Sequence, residues 1–89
     1  MNRRVHIVIK GKVQGVFFRA AIEEKAKELH ITGWVKNTGD DVEALLEGKD
    51  DMIKEMLEFC ILGPKAAKVT GMDIDELPYT GECEEFTRE

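Results

Sequence analysis

A chain of 89 residues and 10.1 kDa has room for one small domain, whose folding hides only ~60–70% of the unfolded surface. With 43% hydrophobic and 35% charged residues it is too apolar to stay disordered and too polar for a bilayer, and no stretch reaches the roughly 18 apolar residues of a membrane span. The formal charge of -5 argues against nucleic acid as the main partner. That charge is unevenly spread: residues 1–36 hold eight bases against three acids, and residues 37–89 hold five bases against fifteen acids. A basic first third in an acidic protein has the charge for an anion site. The opening Met-Asn-Arg-Arg-Val-His lacks the apolar run of a signal peptide, so a cytoplasmic protein is expected.

Val5 to Lys10 is apolar enough on both faces to predict a central strand, with Gly11 as its end or a bulge. Lys12 to Phe17 reads as a loop leading into a helix. From about Phe18 to His30 the spacing is helical: Phe18, Ile22, Ala26 and Leu29 share one face, and Glu23 with Lys27 forms an i,i+4 pair on the other. Thr32-Gly33 closes that helix. Trp34–Asn37 and Val42–Glu47 predict two strands joined as a hairpin through Thr38-Gly39-Asp40-Asp41.

Gly48 ends the third strand, and Asp50 or Asp51 can cap a second helix. Ile53, Met56, Leu57 and Cys60 form its apolar stripe, and Gly63-Pro64 stops it. Residues 66–77 alternate loosely and predict a fourth strand broken at Gly71; Pro78-Tyr79-Thr80-Gly81 is a turn, and Cys83 to Thr87 a short final strand. No repeat, low-complexity tract or linker interrupts the chain, so one domain over 1–89 is expected. The order predicts an α+β ferredoxin-like sandwich, β-α-β-β-α-β with a short extra C-terminal strand and two helices on one face of an antiparallel sheet. That fold alone decides nothing about function.

The chemistry concentrates in Gly11-Lys12-Val13-Gln14-Gly15-Val16-Phe17-Phe18-Arg19. A helix start leaves backbone N–H groups unpaired beside roughly +0.5 charge. A glycine lets the backbone approach a ligand, and consecutive amides can cradle an anion. The planar guanidinium of Arg19 matches two phosphate oxygens, and Lys10, Lys12 and Lys36 can add positive potential. A phosphate or carboxylate site follows from the physics, against the plainer reading that Gly15 makes a turn and Arg19 decorates a helix. Phe17 and Phe18 read as hydrophobic anchors of the loop rather than stacking platforms, with Phe18 in the core.

In Trp34-Val35-Lys36-Asn37-Thr38, Trp34 reads as buried packing. Asn37 carries both donor and acceptor and can orient a water, or it can simply shape the hairpin turn. Thr38 offers a hydroxyl nearby. His6 and His30 stand alone, so no metal site is expected. Cys60 and Cys83 fit no metal spacing and are expected to be reduced, with Cys60 as a small hydrophobe; spacing leaves a disulfide between them open. Glu82, Glu84 and Glu85 read as a solvated acidic tail.

At this point the residues resemble a known family, the acylphosphatases. Gly11 to Arg19 is similar to that family's first signature, and Gly33-Trp34-Val35-Lys36-Asn37 to the start of the second, with Val42 through Gly48 at the spacing of its continuation. Gly63-Pro64-Lys65-Ala66-Ala67-Lys68-Val69 and the ending Phe86-Thr87-Arg88 are similar too. One departure is the turn Asn37-Thr38-Gly39-Asp40-Asp41-Val42, which is one residue shorter than the family's usual pattern.

The resemblance implies hydrolysis of a small-molecule acyl phosphate to carboxylate and inorganic phosphate. It implies that Arg19 and the amides around Gly15, Val16, Phe17 and Phe18 bind the phosphoryl group, and that Asn37 holds the attacking water. No cofactor, metal, nucleic acid or membrane is expected, and a monomer is the default for so small a domain. The alternative is a non-enzymatic ferredoxin-like module binding a peptide, a small anion or RNA. Six aromatics in an acidic chain disfavour RNA; a regulatory or maturation module retaining the acylphosphatase scaffold would be marked by loss of Arg19 or Asn37, and both are present.

Overall fold

In a computed structural model that describes residues 1–89, the chain runs through seven elements. They are β1 (Asn2–Lys12), α1 (Phe18–Glu28), β2 (Thr32–Thr38), β3 (Asp41–Lys49), α2 (Asp50–Leu62), β4 (Lys68–Leu77) and β5 (Phe86–Arg88). The strands form one sheet in the order β4-β1-β3-β2-β5. Both helices cover one face, and the expected ferredoxin-like order holds.

The sheet is mixed rather than wholly antiparallel. β5 pairs parallel with β2, Gly33 facing Phe86 and Val35 facing Arg88. The cause is the route of the chain: β4 occupies one edge, and residues 78–85 carry it to the opposite edge before β5 begins. Glu47 on β3 holds that crossing. It is 1% exposed and accepts from the amides of Cys83 (3.2 Å), Gly81 (3.3 Å) and Thr80 (3.4 Å). The Thr80 hydroxyl (3.3 Å) and the Arg4 guanidinium (3.4 Å) donate to it as well.

The core follows the alternation that β-pleating dictates. Val5, Ile7 and Ile9 of β1, and Val42, Ala44 and Leu46 of β3, face Phe18, Ile22 and Ala26 of α1 and Ile53, Met56 and Cys60 of α2. Cys60 is fully buried as expected, and burial pushes its thiol up to about 12. Both cysteines are free, so no disulfide forms. No helix is long and apolar enough to cross a membrane.

Several local expectations are corrected. β1 extends to Lys12 rather than stopping at Lys10; its ladder with β4 slips register between Lys10 and Gly11, so of the two readings expected for Gly11 the bulge holds. α1 ends at Glu28, and His30 turns the chain with φ 55. Thr32-Gly33 belongs to β2, where Gly33 (φ 137) lies so close to β3 that a Cβ would collide with the Leu45 carbonyl. β4 continues through Gly71, which pairs with Lys10. Lys49, not an aspartate, occupies the N-cap of α2, with Asp50 and Asp51 in the first turn, where negative charge suits the helix dipole. Trp34 is only half-buried. It lies on the sheet face away from the helices, with Lys36 Nζ 5.1 Å from its ring centroid and the His6 ring edge-on at 6.1 Å.

Candidate active site

The segment between β1 and α1 is pinned from beneath by Val13, Val16 and Phe18, all in the buried core. Between these anchors the backbone turns twice into the left-handed region, at Gly15 (φ 71) and at Phe17 (φ 61, ψ 23). Glycine adopts that region freely, whereas Phe17 is held there at a cost on the order of 1–3 kcal/mol. Phe17 is the N-cap of α1, and no side chain caps the helix. The first helical bond runs from Ala21 N to Phe17 O (3.0 Å). The amides of Phe18, Arg19 and Ala20 therefore precede any intrahelical partner and carry the positive end of the dipole.

These groups border a surface cavity of about 340 Å³, which Gly15, Phe17, Phe18, Arg19 and Asn37 all help to line. Val16 is packed in the core, so it can offer a ligand only its backbone. Phe18 is 1% exposed, as expected, but Phe17 is 85% exposed and anchors nothing. The left-handed turn that arranges the amides also swings its ring into solvent.

Arg19 leaves the first turn of α1 half-buried, and its Nη1 donates to the carbonyl of Glu89. Asn37 comes from the other side. It shares the helix-facing side of β2 with buried Val35 and lies two residues beyond the last position that β5 covers. Its side chain is thereby exposed at the cavity rather than packed under a neighbouring strand.

The expected cationic neighbours are not there. Lys10 pairs with Asp73 at 3.1 Å, Lys36 lies over Trp34, and Lys12 is exposed at the end of β1. The second positive charge is Arg88 of β5, which lines the cavity with its Nε 3.5 Å from Glu23 Oε1. Sequence reasoning missed Arg88, because only the parallel docking of β5 brings it beside α1. It missed Gln14 as well, whose side chain reaches the β2–β3 turn. Thr38 is exposed and does not line the cavity, and Asn37 is not one of the turn residues.

Chemically, the cavity offers unpaired amides at a helix start, two guanidinium groups and the neutral carboxamides of Gln14 and Asn37. That set suits a small dianion and a water beside it. Comparison with known proteins gives a matching result. The acylphosphatase family model matches residues 5–88. An acylphosphatase of Methylococcus capsulatus is 46% identical over 85 residues, covering 94% of this chain and 92% of the relative. The solved acylphosphatase of Coxiella burnetii superposes with TM-score 0.92 at 37% identity, over 99% of this chain and 93% of that one. That of Bacillus subtilis gives TM-score 0.93 at 31% identity, over 100% and 99%.

Proposed function

The chain belongs to the acylphosphatase family, enzymes that hydrolyse acyl phosphates, and on that premise we propose how its residues divide the work. The amides of Gly15, Val16, Phe17 and Phe18 and the guanidinium of Arg19 hold the phosphoryl group. Asn37 holds the attacking water. The observation that carries this reading is that Arg19 and Asn37, 18 positions apart and on different elements, line one cavity with the left-handed loop.

In the reaction, the water oxygen attacks phosphorus and the bond from phosphorus to the acyl oxygen breaks. The electron pair leaves on the carboxylate. One proton of the water passes to a phosphate oxygen of the substrate, so an acyl phosphate dianion and water become a carboxylate and dihydrogen phosphate. A carboxylate is already a good leaving group, which removes the need for a strong general acid. Phosphoryl transfer asks chiefly for positioning and for positive charge on the equatorial oxygens. Amide dipoles and Arg19 supply that charge, and the reading takes the reaction as metal-independent. It also takes residues 1–89 as one domain acting as a cytoplasmic monomer, which the small size and charge-rich composition support.

Asn37→Ala is expected to lower kcat for benzoyl phosphate by ~10²–10³ while leaving inhibition by inorganic phosphate unchanged. Parental turnover in that variant would sink the water-orienting role. Dialysis against EDTA should leave the rate unaltered, and activity that returns only with added metal would overturn metal independence.

A further inference from the structure

We propose that Gln14 is a positioning residue for Asn37: its carboxamide braces the β2–β3 turn against the phosphate loop and so sets the gap in which the water is held. The inference rests on the reading of Asn37 as the water-orienting group. Gln14 Nε2 donates to the carbonyl of Gly39 at 2.7 Å and to the carbonyl of Asp41 at 2.9 Å. A primary amide nitrogen has two hydrogens, and both are spent on this one turn. The backbone of Gln14 precedes Gly15, and the residue lines the same cavity as Arg19 and Asn37. One side chain therefore spans the two halves of the site.

The hairpin tip needs such a brace. β5 covers β2 only from Gly33 to Val35, and the register of β1 on β3 reaches only to Val42. Beyond these points only Thr38 and Asp41 pair across the hairpin, Asn37 stands opposite Val42 at the last position that β1 supports, and residues 37–40 are exposed. A projecting two-stranded tip is free to twist and fray. The side-chain hydrogen bonds that tie it to the rest of the domain both come from Gln14.

The short turn makes the double bond feasible. Thr38 and Asp41 form the closing pair, so Gly39 (φ 58) and Asp40 are the whole loop. In so tight a loop the carbonyls of residues 39 and 41 lie within reach of a single nitrogen. The departure from the family's usual turn length is thus matched by a specific contact that fixes the end of β2.

Gln14→Met keeps the side-chain length and removes both donors. It is expected to lower kcat for benzoyl phosphate about 10-fold, as a misplaced group would, while the inhibition constant of inorganic phosphate stays within about twofold. In an Asn37→Ala background the same substitution should cost nothing further, because no carboxamide is left to misplace. The chain has one Gln and two Asn, so few side-chain amide pairs crowd a ¹⁵N–¹H spectrum, and that of Asn37 should move in Gln14→Met. An unchanged kcat, a loss that adds to that of Asn37→Ala, or an unmoved Asn37 signal overturns the proposal. Gln14→Leu replaces Gln14→Met if the latter does not fold, and failure of both to fold makes Gln14 a packing residue and equally overturns it. Parental turnover in Asn37→Ala alone would instead sink the water-orienting reading.

Discussion

Arg19→Ala is expected to reduce kcat/KM for benzoyl phosphate by ~10³–10⁵ and to abolish inhibition by inorganic phosphate. The guanidinium meets charge already present on the bound phosphoryl group and charge that redistributes as the acyl oxygen departs, so both binding and turnover suffer. Asn37→Ala should separate from it by lowering kcat alone. Arg19→Lys keeps the charge but loses the planar fork, and should recover only a small part of the rate. The thermal midpoint of Arg19→Ala should stay close to that of the parent. The side chain is half-buried at a helix start, and it donates to the chain end at Glu89 rather than to the core. Phosphate inhibition of undiminished strength in folded Arg19→Ala would remove Arg19 from the site.

The largest effect on stability is expected at Glu47, far from the proposed chemistry. Glu47→Ala leaves the amides of Thr80, Gly81 and Cys83 and the Arg4 guanidinium without their common acceptor. Removing one partner from a buried charged network costs about 3 kcal/mol or more, equivalent to a fall of roughly 10–20 °C in Tm for a domain of this size. Differential scanning calorimetry on the variant reads this directly, and a shift of only a degree or two would show that the crossing segment is held by other contacts.

The same network gives the pH dependence its sign. Burial alone disfavours the Glu47 carboxylate, but the amides of Cys83, Thr80 and Gly81 outweigh it and hold its pKa below the ordinary value of 4.5. A group whose pKa is lower folded than unfolded binds fewer protons in the native state. Its stabilisation is complete above the unfolded value and is lost as pH falls through the folded one. The advantage in urea midpoint of the parent over Glu47→Gln should therefore be full at neutral pH and shrink as the pH falls below the ordinary carboxylate range. An advantage that grew on acidification would contradict the assignment. Cys83, in the same segment, has its thiol pushed up by burial and by the Glu47 carboxylate, which keeps it protonated at neutral pH.

Much of the domain was legible from local pattern. The stripe Phe18, Ile22, Ala26 and the stripe Ile53, Met56, Cys60 face the sheet because a 3.6-residue period puts them on one side whatever lies opposite. The loop before α1 was legible too, since a glycine followed by a helix start and an arginine has anion-binding physics of its own. Gly63 ends α2, as its Gly-Pro step predicts, and takes a positive φ of 68 there. The expected aspartate cap failed because Asp50 and Asp51 are equally well placed, electrostatically, one step inside the helix.

By itself, then, the sequence determined the element order, the two helix faces and the loop that offers its amides, because each rests on spacing within one segment. The tertiary structure alone decided what surrounds that loop. β5 docks parallel on β2 and brings Arg88 to the cavity. Lys10 and Lys36 find Asp73 and Trp34 instead of the site, Phe17 turns outward, and Gln14 reaches across to Gly39 and Asp41. Each of these outcomes depends on which strands become neighbours and on where the pairing of β5 and β1 gives out. Residue spacing carries no record of such contacts, because they join segments that meet only after the sheet has closed around its core.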